Sequence, residues 1–126
     1  MRVLLDTHIF LWWYSDAPEL PGGLRRLLLD PSTEVVVSAA SVWEIAVKRS
    51  LGKLDFEGSV VGAIQDEGFA ALAISAAHAE HVGRLPDHHR DPFDRLLVAH
   101  SNLEDLTLLS VDPQMSRYDV FALRSS

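Results

Sequence analysis

The 126-residue sequence contains no cysteine, which excludes disulfides, thiolate metal sites and a cysteine nucleophile. That absence suits a reducing compartment, so a cytoplasmic protein is expected. Long apolar runs are also missing. No stretch approaches the roughly 18 uninterrupted apolar residues of a membrane span, and no membrane partner is expected. The opening run MRVLLDTHIFLWWY is broken by Asp6 and His8 and lacks a small-residue cleavage site, so it reads as folded structure rather than a secretion signal. Basic charge is scarce as well. With 18 acidic against 11 basic side chains the net charge is −7, which argues against a protein that grips nucleic acid through a broadly positive surface. That argument weakens if several acids share one site and bound cations neutralise them. The positions of the acids therefore matter more than their sum.

What is present is enough for one folded unit over residues 1–126, with hydrophobic residues at 48% supplying an ordinary core. Residues 2–5 read as a short buried strand and THIFLWWYSD as a helix halted at DAP. GGLRRLLLD (22–30) reads as a helix stopped by Pro31. TEVVVS (33–38) is a β-branched strand, and SAASVWEIAVKRSLGKL (38–54) a strong helix with Gly52 as its stop. SVVGAIQDEG (59–68) is a helix closed by Gly68, FAALAI (69–74) a strand, and SAAHAEHVG (75–83) a helix from a Ser cap to a Gly stop. LPDHHRDP is a loop, PFDRLLVAHSNLEDL (92–106) a helix, and TLLSVD (107–112) and DVFAL (119–123) are strands. Strands alternating with helices imply parallel pairing through crossover helices, an α/β layered fold. Such open sheets bind ligands beyond the carboxyl ends of their strands, at the switch point. Asp6 and Asp112 sit at that end of their strands, and they share a crevice if the first and fourth strands are neighbours.

Each acid near an element end has two readings. Glu44 fits a capping box, Ser41-Val42-Trp43-Glu44, and precedes Lys48 at i,i+4. It also lies in the first turn of a helix that rises from the sheet's carboxyl edge. Asp94 fits a helix start, with Asp91 as cap and Pro92 at the first position. Asp112 before Pro113 suits a turn. Asp6 has the weakest structural reading: nothing after it signals a turn, and no capping role is expected for it. Four acids at element ends in an α/β order form a metal-site pattern. Two unit charges about 5 Å apart repel by roughly 3 kcal/mol at an effective dielectric of 20. An all-oxygen donor set suits Mg²⁺ or Mn²⁺ better than zinc. The six histidines form no zinc motif. His78 and His81, at i,i+3 on one helix, are expected to be partly exposed. His88 and His89 fall in the solvated loop before Asp91. His100 has no evident role. Trp12 and Trp13 are expected in the core or a subunit interface.

The segments VLLDTHIFLWW, VSAASVWEIAVKRSLGKL, RDPFDRLLVAHS and LLSVD resemble the successive motifs of PIN-domain proteins, and more closely the VapC-type toxins of bacterial toxin–antitoxin pairs. The likeness covers nearly the whole chain, in order. It implies a single PIN domain, with a parallel five-stranded sheet of order 3-2-1-4-5 flanked by helices. Asp6 and Asp112 would then stand at the switch point. It places the family's acidic quartet on Asp6, Glu44, Asp94 and Asp112, with Thr7 and Ser110 as supporting hydroxyls. Ser110 replaces the Thr of many relatives and keeps the hydroxyl.

The expected activity is a Mg²⁺- or Mn²⁺-dependent endoribonuclease that cleaves RNA with a metal-activated water. The cation would be held chiefly by Asp6 and Asp94 and completed by Glu44 and Asp112. Lys48, Arg49, Lys53, Arg84, Arg90 and Arg95 flank the acidic motifs and are the candidate RNA contacts. A cognate antitoxin and a homodimer are the expected protein partners. Two other classes stay open. A receiver-like or phosphatase-like phosphotransfer module would explain a carboxylate after a strand, but no Lys follows Asp112, and Asp6-Thr7-His8 is not Asp-x-Asp. A catalytically silent PIN-like binding subunit would need none of the four acids.

Overall fold

The computed structural model describes residues 1–88 and 90–115, together with the backbone of 122–123. Its sheet is built from β1 (Arg2–Leu5), β2 (Glu34–Ser38), β3 (Ala70–Leu72), β4 (Thr107–Leu109) and β5 (Ala122–Leu123). All pairings are parallel and the order is β3-β2-β1-β4-β5, as the resemblance implies. The helices are α1 (Thr7–Tyr14), α2 (Gly22–Leu29), α3 (Ala39–Ser50), α4 (Val60–Asp66), α5 (Ala76–Val82) and α6 (Pro92–Glu104). Among the described residues, no helix is long and apolar enough to cross a membrane. The last expected strand, 119–123, is seen only at 122–123; residues 119–121 lie outside the described set.

The central strand β1 is apolar on both faces because helices cover both sides, as parallel sheets require. Val3 and Leu5 point into a core with Ile9, Phe10, Ile45, Ile64 and Leu109. Leu4 points the other way, into a core with Val36, Leu97, Leu108 and Met115. Each of these fully buried aliphatic side chains stabilises the fold by about 1.5–3 kcal/mol. The helix stops behave as their residues dictate: Gly52 (φ +70°) and Gly68 (φ +72°) take left-handed conformations just past α3 and α4.

Two helix starts differ from expectation. Asp6 does cap a helix: its Oδ1 accepts the N–H groups of His8 (2.9 Å) and Ile9 (3.2 Å) at the start of α1. Strand β1 runs into α1 with no intervening loop, so the residue between them is the cap, and Asp is well suited to it. The expected capping box on Ser41 does not form. Helix α3 begins earlier, with Ser38 Oγ accepting the Ala40 N–H at 2.8 Å, so Ser41 and Glu44 already lie inside the helix. Asp91 caps α6 as read, accepting from the amides of Phe93 and Asp94, with Pro92 at the first position.

The topology fixes where these helix starts lie. Helices α1 and α3 follow β1 and β2 directly, so their N-termini stand at the sheet's carboxyl edge. Helix α6 ends just before β4 begins, so its N-terminus is at the same edge. The strand numbering reverses between β1 and β4, and the Asp6 N–H donates to the Leu109 carbonyl across that switch point at 3.1 Å.

Candidate active site

Asp6 is 5% exposed and both of its carboxylate oxygens are held. Oδ1 takes the two amides of α1, and Oδ2 accepts the Ser110 hydroxyl at 2.6 Å. Burial pushes its pKa above the ordinary carboxylate value, against the lowering effect of the Ser110 bond and the α1 amides. Ser110 Oγ also accepts the Asp112 N–H at 3.0 Å, so one hydroxyl ties the Asp6 carboxylate to the segment carrying Asp112. Asp112 shapes a turn as well. Its Oδ1 accepts the Gln114 N–H at 2.9 Å, and its carbonyl accepts the Met115 N–H.

Thr7 reaches the other way. Its Oγ1 donates to Ser41 Oγ at 2.9 Å in a buried bond that pins α1 to α3 one turn before Glu44. Glu44 is 3% exposed. Its Oε2 accepts Lys48 Nζ at 2.6 Å, while its buried Oε1 has no hydrogen-bond partner. Helix α3 is tied to α6 by the edge-to-face pair Trp43–Phe93, with ring centroids 4.7 Å apart. These residues immediately precede Glu44 and Asp94. Asp94 is half-buried in the first turn of α6, its N–H donating to Asp91 Oδ1. The Lys48 ammonium links the two helices electrostatically. Its pKa is raised, first by the hydrogen bond to Glu44 and further by the charges of Glu44, Asp91 and Asp94, against its own partial burial. Hydrogen bonds therefore run from the Asp112 backbone through Ser110 to Asp6, and from the adjacent Thr7 to Ser41 one turn before Glu44, whose partner Lys48 feels the charges at the start of α6.

A cation cage is not preformed. Among the described residues, no three carboxylates or imidazoles stand close enough together to hold a metal ion as they are. What fits a hard divalent cation is the donor chemistry: an unpartnered, buried oxygen on Glu44, and a buried carboxylate on Asp6 whose charge is disfavoured by its surroundings.

The basic candidates are spread over several tasks. Lys48 is on Glu44. Arg49 donates to the carbonyls of Phe56 and Gly58, closing the chain that follows α3. Arg95 donates to the carbonyls of Pro86 and Val82 and so holds the loop before α6. Arg84 stands 3.7 Å from Glu80 on the surface, and Lys53 and Arg90 are exposed.

Two buried residues escaped the sequence reading. Ser41 was assigned to a cap and is instead the partner of Thr7. His100 is fully buried with neither ring nitrogen hydrogen-bonded. Its spacing from Leu96 and Leu97, at i+4 and i+3 on the apolar face of α6, was the available signal. Desolvation, with a smaller push from His78, lowers its pKa to about 4. His78 is buried too, contrary to the expected partial exposure. Its Nδ1 accepts the Ser75 N–H, its Nε2 lies 2.7 Å from Glu104 Oε1, and its ring packs edge-on against His100 at 4.2 Å. His88 is half-buried, and His89 lies outside the described residues.

Comparison with known proteins follows the same lines. The chain superposes on VapBC2 from Rickettsia felis, solved bound to a DNA fragment from its promoter, with a TM-score of 0.67 and 16% identity over 98% of each chain. It is similar to VapBC-1 from nontypeable Haemophilus influenzae, at TM-score 0.62 and 17% identity over 98% of this chain and 97% of that one. It is also similar to a toxin–antitoxin complex from Klebsiella pneumoniae, at TM-score 0.58 and 19% identity over 87% of this chain and 86% of that one. No match is found among curated proteins. At these identities the likenesses speak for the fold. The sequence itself matches the PIN domain pattern across residues 3–120, nearly its full length, and on that ground the chain belongs to the PIN domain family.

Proposed function

We infer that the chain, as a single PIN domain over residues 1–126, is the toxin of a toxin–antitoxin pair and a divalent-cation-dependent endoribonuclease. The observation that carries this reading is the pair of buried carboxylates at the carboxyl edge, Asp6 and Glu44. They are linked to the Asp112 segment and to the start of α6, and one Glu44 oxygen is left unpartnered. Glu44, at 3% exposure, has one oxygen on Lys48 and the other on nothing, a buried acceptor that a divalent cation would complete. Asp6, Glu44, Asp94 and Asp112 would hold Mg²⁺ or Mn²⁺, which when bound supplies an activated water and offsets charge at the phosphodiester. Ser110 and the α1 amides orient Asp6, and Thr7 with Ser41 sets the height of Glu44 against it. Lys48, Lys53, Arg84 and Arg90 are exposed or half-exposed cations for the RNA backbone, whereas Arg49 and Arg95 carry structural bonds. A small antitoxin partner belongs to the same reading, supported by the toxin–antitoxin complexes among the similar structures, and a homodimer and a cytoplasmic location are proposed with it.

The test is cleavage of cellular RNA by the purified chain with Mg²⁺ or Mn²⁺, with EDTA, and with Asp6→Asn. The expected result is cleavage only with cation and wild-type Asp6, falling as salt rises because the cationic contacts to phosphate release counterions. Full cleavage in EDTA would remove the cation from the reading. No cleavage under any condition, with cation bound, would favour a silent binding subunit.

A further inference from the structure

Lys48 is placed where a simple helix-surface pair would not put it. Its partner Glu44 is 3% exposed, so the bond is not the usual solvated i,i+4 contact. The ammonium sits 2.6 Å from Oε2, half-exposed, within the field of Asp91 and Asp94 at the start of α6. Oε1 of the same carboxylate faces no donor. A buried carboxylate needs a compensating charge. Lys48 supplies one from a flexible four-carbon stem, as a point charge that satisfies one oxygen and leaves the other open.

The geometry points to Lys48 as a built-in counter-ion that competes with the divalent cation for Glu44, so that loading the site releases the ammonium. This rests on the nuclease reading above. Mg²⁺ bonds oxygen at about 2.0–2.1 Å. Bound to Glu44, it would stand close to an ammonium already on Oε2, and like charges at that spacing repel strongly. The ammonium must swing out or the ion is held weakly. Once released it lies at the rim of the crevice, free for an RNA phosphate. Lys48 would thus stabilise the fold without a cation, moderate affinity for it, and become available to substrate when the cation is in place. It is a positioning residue in the first state and a substrate contact in the second.

The test is direct Mn²⁺ binding to the EDTA-dialysed full-length chain, with free Mn²⁺ counted by electron paramagnetic resonance. It compares wild type with Lys48→Met and Lys48→Arg. Methionine keeps the stem and removes the charge, so Mn²⁺ should bind about ten-fold tighter, the order expected for one screened unit charge. Arginine keeps the charge and can bond both Glu44 oxygens at once, so Mn²⁺ should bind more weakly than to wild type. Unchanged or weaker binding by a folded Lys48→Met overturns the competition and leaves the nuclease reading standing. If Lys48→Met does not fold, the arginine variant decides alone: binding equal to wild type or tighter overturns the proposal. Mn²⁺ binding that appears only in Lys48→Met supports it, while its absence from all three proteins overturns both this proposal and the cation-dependent function.

Discussion

Replacing Asp6 with Asn separates its two roles, because Asn preserves one and abolishes the other. As a helix cap Asn is equivalent to Asp, so the bonds from the His8 and Ile9 amides survive on Oδ1. On the other side Oδ2 becomes an amide nitrogen. It can donate to Ser110 Oγ, but the Ser110 hydroxyl loses its acceptor, at a cost of about 1–2 kcal/mol. Against this, a buried charge disappears. Burial outweighs the hydrogen bonds in setting the pKa of Asp6, so its ionised form is disfavoured in the folded chain, and the relief opposes the lost bond. The two effects nearly cancel. In EDTA at neutral pH the variant should melt within a few degrees of wild type, corresponding to about 1 kcal/mol either way. The pH dependence follows from the raised pKa. Protonation of Asp6 favours the folded state, so its contribution is fully present below 3.8 and is lost as pH rises through the folded value; Asn removes that slope. Added Mg²⁺ at about one hundred times its Kd should stabilise wild type by roughly 2.7 kcal/mol and the variant far less. Differential scanning fluorimetry with EDTA or Mg²⁺, beside an RNA cleavage assay, reads all of this. Intact cleavage by the variant, with Mg²⁺ stabilising it as much as wild type, would mean that Asp6 is a cap and nothing else.

Two further outcomes follow from residues outside the acidic chain. His100 has a pKa of about 4 when folded against 6.5 as its ordinary value, so its stabilising contribution is full above 6.5 and is lost as pH falls toward 4, a loss of roughly 3 kcal/mol at about 1.4 kcal/mol per factor of ten. His100→Leu should flatten urea midpoints between pH 7 and 4.5, and curves as steep as wild type would assign acid sensitivity elsewhere. Arg95→Ala removes two bonds to the carbonyls of Val82 and Pro86 and should cost about 2 kcal/mol, with faster amide exchange across residues 83–90. Unchanged exchange with weaker RNA binding would instead make Arg95 a substrate contact.

The fold was legible because its signals are local and agree with one another. Val, Ile and Leu runs of strand length alternate with helices ending at Gly52, Gly68 and Pro31, and that alternation requires a parallel sheet. Strand neighbours were not legible from periodicity, since nothing within β1 or β4 says which strand lies beside which. That order came from the resemblance. The false capping box on Ser41 and the burial of His78 and His100 have a related cause. A Ser three residues before a Glu satisfies the capping pattern whether or not the helix has already begun, and here Ser38 begins it. A histidine on a short helix reads as exposed until its contacts with Ser75 and Glu104 are known.

In the sequence each acidic residue has a structural and a functional reading as alternatives, and for Asp6 and Asp94 a role at a helix start is present without excluding the other. Helices α1, α3 and α6 all begin at the carboxyl edge, so the positive ends of their dipoles gather where a ligand would bind. Asp6 as a cap and Asp94 as a first-turn residue are favoured there, whereas Glu44 lies deeper in α3. The favourable term is about 0.3–1 kcal/mol for each acid near a helix start. Mutual repulsion of two carboxylates about 5 Å apart is roughly 3 kcal/mol. Helix starts alone therefore cannot hold the group together. One fixed positive charge, Lys48 on Glu44, is present to make up part of the difference, and the unpartnered Oε1 marks where the compensation stops. A structural cluster would have gained by completing it, for instance with an arginine at position 48 that bonds both oxygens. Under the proposed competition, a lysine that satisfies only one oxygen leaves the other for an arriving cation.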